Sequence, residues 1–430
     1  MRSTPPVGSS DGRGSNSVQV RRYNERIVLR ELRRCGEASK AELARRANLT
    51  SAAVGTIIDE LEAYRLIGIT GKRHAGGRGQ PATLYQLRAG GAYGIGVRLD
   101  RSSIETVLMD LTGKVIARRS HDPALPEPEK ALDIVTQDID DMLALLPDDA
   151  DQQSPRANRV AGIGLAQPYN LGSWLRELAL PPEIFLQWQE YDFRQALEDR
   201  AQLPVFAEND GTASAIAELF NGNDQNRESF LYMFVGPAIG GGVILNGDPL
   251  YGHGANAGDV ATMPVPPSSL PSAPRPEGNW DILITRASLN ALIRHLAYYG
   301  VKAHGRAALE EIVAEGHQAV TEWIDDCVDA LVPSIFSALA ILDVPLLILD
   351  SDLNGGLQLR LKEALDRALA LRAPEGRQQP TIEIGSFGPD AGAIGAATLP
   401  LFVNFSPRAS ILTNSHFKTD NPRIAGKGPI

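Results

Sequence analysis

The chain predicts an α/β protein: three helices and a β-wing at the amino-terminal end, followed by two α/β lobes. Three observations carry this. Two capped amphipathic helices follow one another in residues 39–62. Two β-patterned runs flank a glycine- and arginine-rich loop at 71–81. From Gly91 onward a strand meander followed by strand–helix units occurs twice.

The first helix is expected from Tyr23 to Arg34, with Ile27, Val28 and Leu32 facing a core. Ser39 caps the second, and Glu42 three residues on completes a capping box. Asn48 and Leu49 make the turn, and Thr50 caps a third helix striped by Val54, Ile57, Ile58 and Leu61. Strands are expected at Leu66–Thr70 and Ala82–Leu87. Together these form a winged helix-turn-helix, the arrangement that lays its second helix in the DNA major groove.

The lobes read in order. Strands Tyr93–Leu99, Ile104–Asp110 and Lys114–Arg119 precede a helix at 127–147 and the strand Val160–Ala166. Pro204–Ala207 is a strand, Thr212–Phe220 a helix, and Phe230–Val235 with Gly242–Leu245 a hairpin around a glycine-rich turn. Pro264–Pro276 is a Pro/Ser loop with no packing pattern. Helices near 286–298, 307–315 and 317–340 lead to strands at Leu346–Leu349 and Thr381–Gly385, with helices at 357–371 and 391–400. The expected organisation is a disordered tail at 1–19, the winged module at 20–88, a two-lobed domain at 91–405 and a flexible tail at 406–430.

Charge divides the chain in the same way. Residues 17–90 carry 14 Lys+Arg against 7 Asp+Glu, whereas the whole chain has net charge −10. A basic module on an acidic body presents one end to phosphates. No apolar leader opens the sequence and no stretch nears the ~20 apolar residues of a membrane span, so a cytoplasmic protein is expected. Cys35 and Cys327 are the only cysteines, which excludes a disulfide framework and a Cys-rich zinc site.

On the second helix of the pair, Ser51, Ala52 and Thr56 face outward, behind the cap Thr50. None is Arg, Asn or Gln, the residues that pair bidentately with purines. Lys40, Arg45, Arg46, Lys72 and Arg73 are placed to meet phosphates. In the wing, Gly77-Arg78-Gly79-Gln80-Pro81 is either an A·T-seeking minor-groove hook through Arg78 and Gln80 or a hinge without base contacts.

Several segments in fixed order resemble the ROK family of repressors and sugar kinases, whose domain has the actin-like/ribonuclease-H-like fold. They are the winged helix-turn-helix, Gly94-Ile95-Gly96-Val97, Gly162-Ile163-Gly164-Leu165-Ala166-Gln167-Pro168, Glu208-Asn209-Asp210, Ile239-Gly240-Gly241-Gly242, Ala257-Gly258-Asp259 and Gly392-Ala393-Ile394-Gly395-Ala396-Ala397. The resemblance covers roughly residues 20–405. It implies a sugar pocket in which Asn209 and Asp210 face the ligand. Asp259 replaces a family glutamate, Thr262 falls in the same motif, and Asp281 replaces a second glutamate. Each Glu-to-Asp change withdraws the carboxylate by roughly 1.5 Å, so either the pocket is wider or the ligand differs from those read by members with glutamate.

Against the family's kinases the chain departs at each nucleotide contact. The phosphate loop reads Arg98-Leu99-Asp100-Arg101-Ser102 without its glycines, and the second phosphate turn carries Pro237, which has no amide donor. Asp350-Ser351 replaces a Gly-Gly beside the adenosine site. The zinc motif of some members lacks every cysteine and reads Asp259-Val260-Ala261-Thr262 where a histidine motif would stand. The expectation is a non-enzymatic regulator, most simply a repressor of sugar metabolism or transport genes. It would bind a double-stranded DNA operator and a sugar effector as a homodimer or homotetramer, without cofactor or metal. The alternative is an ATP-dependent sugar kinase with a DNA-binding appendage, in which Asp210 is the catalytic base. A ligand-independent DNA-binding protein whose lobes only oligomerise is a third possibility.

Overall fold

A computed structural model describes residues 17–73, 81–121, 125–147, 159–172, 174–178, 180–224, 227–376 and 378–413. The chain divides into two compact units, one of Met1–Ala92 with Val403–Ile430 and one of Tyr93–Phe402.

In the first unit, helix α1 (Ser17–Cys35) is followed by strand β1 (Glu37–Ser39), α2 (Lys40–Ala47), α3 (Ser51–Ala63), β2 (Ile67–Arg73) and β3 (Ala82–Leu87). The three strands pair antiparallel in the order β1-β3-β2. The Ser39 amide donates to Glu42 Oε2 at 2.8 Å and the Ser39 hydroxyl accepts from the Glu42 amide at 3.3 Å, which closes the capping box. Asn48 ends α2 in the left-handed region with φ 53°, a conformation asparagine tolerates better than most residues. Thr50 Oγ1 accepts from Ala53 N at 3.2 Å to start α3. Val28, Leu32, Leu43, Val54, Ile58 and Ile67 form the core.

Three expectations are corrected in this unit. Residues 17–19 are helical, because α1 extends back beyond Tyr23; its buried face includes Gln19, Arg26 and Glu31, polar residues that blur the apolar stripe. Strand β1 is new. Ser406–Thr413 is ordered: Arg26 Nη1 donates to Val403 O at 2.9 Å and to Ser406 O at 3.4 Å, and a short helix covers Ala409–Thr413. The rest of the two expected tails, 1–16 and 414–430, lies outside the described residues.

The second unit uses one topology twice. Strands β4 (Tyr93–Leu99), β5 (Ile104–Asp110) and β6 (Val115–His121) form an antiparallel meander. Helix α4 (Pro128–Leu145) leads to β7 (Val160–Gln167), which lies parallel to β4; α5 (Phe193–Ala201) leads to β8 (Val205–Asn209), parallel to β7. After α6 (Asp210–Asn221) come β9 (Phe230–Val235), β10 (Ile239–Leu245) and β11 (Asp248–Pro249), again antiparallel. A two-stranded ribbon, β12 (Pro264–Val265) with β13 (Asp281–Ile282), precedes α7 (Ile284–Ala287), α8 (Leu289–Tyr298), α9 (Gly305–Glu315) and α10 (Gln318–Leu342). Then β14 (Leu346–Ser351) lies parallel to β9, α11 (Gly356–Arg372) follows, β15 (Thr381–Ile384) lies parallel to β14, and α12 (Ala391–Phe405) closes the run. The sheets read β6-β5-β4-β7-β8 and β11-β10-β9-β14-β15. Each has its own apolar core.

The glycine pairs of β4 and β7 have a packing cause. A Cβ on Gly96 would lie 2.2 Å from Ala397 N, and one on Gly164 would lie 1.9 Å from Ala396 O. Only a side chain of hydrogen lets α12 lie directly on the sheet. The glycine-rich turn expected around residue 240 is instead strand: Gly240, Gly241 and Gly242 pair with Phe234, Met233 and Tyr232. Of the three, Gly242 admits α6, since a Cβ there would lie 2.7 Å from Gly211 O. The Pro/Ser loop is also pinned. Arg286 Nη1 donates to Pro266 O at 2.7 Å, Ser268 Oγ to Asp326 Oδ1 at 2.8 Å, and Ser272 Oγ lies 2.8 Å from His295 Nδ1.

Candidate functional site

The first candidate surface is the start of α3. Thr50, Ser51, Ala52 and Thr56 are exposed there, and Thr56 Oγ1 donates back to Ala52 O at 3.3 Å. Thr50 is committed to its cap. Lys40 Nζ sits 2.8 Å from Asp59 Oδ1. Arg73 pairs with Glu37 at 2.8 Å and Glu42 at 3.2 Å. Exposed pairs of this kind are worth about 0–1 kcal/mol, so a phosphate exchanges for the carboxylate at little cost. Arg45, Arg46 and Lys72 are exposed. Arg78 and Gln80 lie outside the described residues.

The second candidate is a cavity of about 490 Å³ within the second unit, of the size that holds small-molecule ligands. The end of β8 and the start of α6 supply Asn209 and Asp210. Asn209 caps α6 by accepting from Gly211 N at 2.9 Å, and Asp210 accepts from the same amide at 2.8 Å. Burial raises the Asp210 carboxyl above its ordinary range, against the opposing pull of Arg98 and Arg101. Asp259 also lines the cavity, with Asn256 Nδ2 donating to it at 3.1 Å; burial raises this carboxyl too.

Thr262 and Asp281 do not line it. Thr262 is exposed and turns its hydroxyl to Asp259 O at 3.0 Å, while the Asp281 carboxylate accepts from Ile282 N at 2.8 Å in β13. The ribbon β12–β13 carries Asp281 away from the lining, and Thr262 ends the short 3-10 turn Val260–Thr262 that precedes it. Sequence reasoning passed over Tyr169, Asn170, Trp174, Leu178 and Leu180, a wall drawn from an irregular segment. The aromatic pair Tyr169 and Trp174 was its one readable signal.

Near the end of β4, Arg98 is half-buried between Glu105 at 3.0 Å and Asp100 at 3.3 Å. Burial works against its charge, but the two carboxylates outweigh it and hold the guanidinium firmly protonated. Asp350, one residue before the end of β14, is fully buried. It accepts from Gln358 Nε2 at 2.7 Å, Ser351 N at 2.9 Å, Gly388 N at 3.1 Å and Tyr232 OH at 3.2 Å. A Cβ on Gly385 would fall 2.4 Å from that carboxylate, so Asp350 itself fills the space beside Gly385. Zinc does not fit the loop after Asp259: no cysteine lies there and His253 is exposed.

Next to Asn209, Glu208 is half-buried, and burial pushes its carboxyl up to about 8. The folded protein therefore holds a proton that the unfolded chain releases near the ordinary glutamate range. Stability from this group is complete below that range and is lost as pH rises through about 8. The melting temperature is expected to fall between pH 5 and pH 8, and Glu208→Gln to flatten that slope. Parallel slopes for both proteins would contradict the assignment.

Residues 94–401 match the ROK family model, and residues 21–67 match a model described as winged helix-turn-helix DNA-binding. The uncharacterized protein y4fQ of Sinorhizobium fredii is 28% identical over 89% of this chain and 91% of its own length. The xylose repressor of Bacillus spizizenii is 26% identical over 64% of this chain and 68% of its own. Among solved structures, a ROK family transcriptional regulator homologous to the E. coli MLC protein covers 95% of this chain and 100% of its own, with a TM-score of 0.65 at 20% identity. The chain belongs to the ROK family and carries a winged helix-turn-helix ahead of its ROK domain.

Proposed function

We propose that the protein is a cytoplasmic transcriptional repressor whose hold on operator DNA is controlled by a sugar in the cavity, and that it does not phosphorylate that sugar. The winged module presents α3 to the major groove through Ser51, Ala52 and Thr56, with Thr50 at its cap. Lys40 and Arg73 contact phosphates, and Arg78 and Gln80 follow the adjoining minor groove. Asn209, Asp210 and Asp259 bind the sugar hydroxyls, which both donate and accept. One winged module reads too few bases for genomic specificity, so the protein acts as a homodimer or homotetramer. Relatives of this chain include xylose repressors of two Bacillus species.

The observation that carries the non-enzymatic part is the β4–β5 turn. Where glycine amides would cradle phosphate, the half-buried Arg98–Asp100 pair stands, and Asp100 turns its carboxylate to the Arg101 amide at 2.7 Å. Pro237 and the Asp350 cluster add two further obstacles to a nucleotide. The one feature favouring a kinase is Asp210, placed at the cavity as a base would be. ATP turnover with a panel of sugars decides between them: none is expected, and sugar-dependent ADP release at enzyme-like rates would reverse the reading.

Arg78→Ala is expected to lower operator affinity most on sites with A·T-rich flanks, where the narrow groove concentrates negative potential. Equal losses on A·T- and G·C-flanked duplexes would leave the wing a hinge.

A further inference from the structure

Two guanidinium groups line the cavity, and both are engaged by the protein itself. Arg98 is held by Glu105 and Asp100. Arg101 donates from Nε to Leu171 O and from Nη2 to Asn170 O, each at 3.1 Å. Asp100, Asp210 and Asp259 share the same lining. A phosphate dianion entering here meets three carboxylates and cations already occupied. A neutral polyol instead offers these acceptors its hydroxyl protons.

The opposite chemistry comes from a wall of Tyr169, Trp174, Leu178 and Leu180, which line the cavity. Trp174 has φ 60°, a left-handed conformation that a bulky residue seldom holds away from functional positions. It packs against the apolar core of the second sheet. Residues 170–172 are fixed by the Arg101 bonds and by Gly172 N donating to Asn170 Oδ1 at 2.9 Å. The C–H face of a sugar ring is apolar and suits an aromatic plane.

We propose that the cavity selects uncharged, unphosphorylated sugars, that the sugar ring stacks on Trp174, and that Arg101 is the positioning residue that holds this surface in place. The proposal rests on the sugar-effector reading above and names its ligand class.

The test uses the full-length chain, thermal shift and intrinsic fluorescence. The probes are glucose, xylose, N-acetylglucosamine and maltose, with glucose 6-phosphate and N-acetylglucosamine 6-phosphate as charged counterparts. At least one free sugar is expected to bind and quench fluorescence, with its phosphate at least about tenfold weaker. Trp174→Phe should retain binding but lose the quench. Trp174→Ala should weaken binding about tenfold or more, and Arg101→Gln should weaken it through faster dissociation. Phosphates that bind as tightly as free sugars, or Trp174→Ala that binds as well as wild type, would overturn the proposal with the sugar-effector reading intact. If no sugar, free or phosphorylated, binds, the sugar-effector reading fails and the proposal falls with it.

Discussion

Asp210→Asn is expected to abolish the sugar response. The carboxylate is the charged acceptor at the start of α6, bonded to Gly211 N and lining the cavity. Hydrogen bonds to a charged group contribute about 1.5–3 kcal/mol, so sugar affinity should fall roughly 10- to 100-fold. Operator affinity without sugar, read by fluorescence anisotropy, serves as the control and should match wild type. Because burial raises this carboxyl, the wild-type response should itself weaken as pH falls and Asp210 takes up a proton. Operator release that persists in the variant would place the effector elsewhere.

Gly164→Ala is expected to cost more stability than any ordinary small-to-large change. Its Cβ would stand 1.9 Å from Ala396 O, so backbone must move away from backbone. Overpacking of flexible cores costs about 1–3 kcal/mol; a contact with no rotamer to yield should reach or exceed about 3 kcal/mol. The melting temperature should drop by roughly 5–10 °C. Gly240→Ala is the matched control, since nothing lies within 4 Å of a Cβ there. Equal melting temperatures for the two variants would mean that α12 does not rest on β7 as described.

These two residues also mark how much was legible beforehand. The glycines at 94, 96 and 164 were read through their order along the chain, and the fold followed; that they are there to admit α12 needed the packing. Gly240–Gly242 misled, because glycine in a strand and glycine in a turn leave the same trace in sequence. Capping chemistry was legible wherever it is local: Ser39 with Glu42, Asn48 and Thr50 act within a few residues of themselves. Long-range pinning was not. Arg286 holds the Pro/Ser loop from 20 residues away and Arg26 holds Ser406 from 380, distances at which no pattern connects the partners. Asn209 and Asp210 reach the cavity from the end of β8 and the start of α6, whereas Asp281 is led away by a two-residue ribbon too short to predict and Thr262 turns its hydroxyl back to Asp259 O. The wall around Trp174 is irregular and carried no period to read.

On the proposed reading, a sugar in the cavity releases this protein from DNA without being phosphorylated. That release is tested most directly by anisotropy on a labelled duplex selected by the full-length protein from a random-sequence pool. The duplex is titrated with an unphosphorylated sugar that raises the melting temperature, with and without ATP. The prediction is loss of DNA occupancy at sugar concentrations that saturate the thermal shift, identical in both titrations, with the sugar recovered unchanged. DNA occupancy indifferent to a bound sugar, or release that requires ATP and yields sugar phosphate, would contradict it.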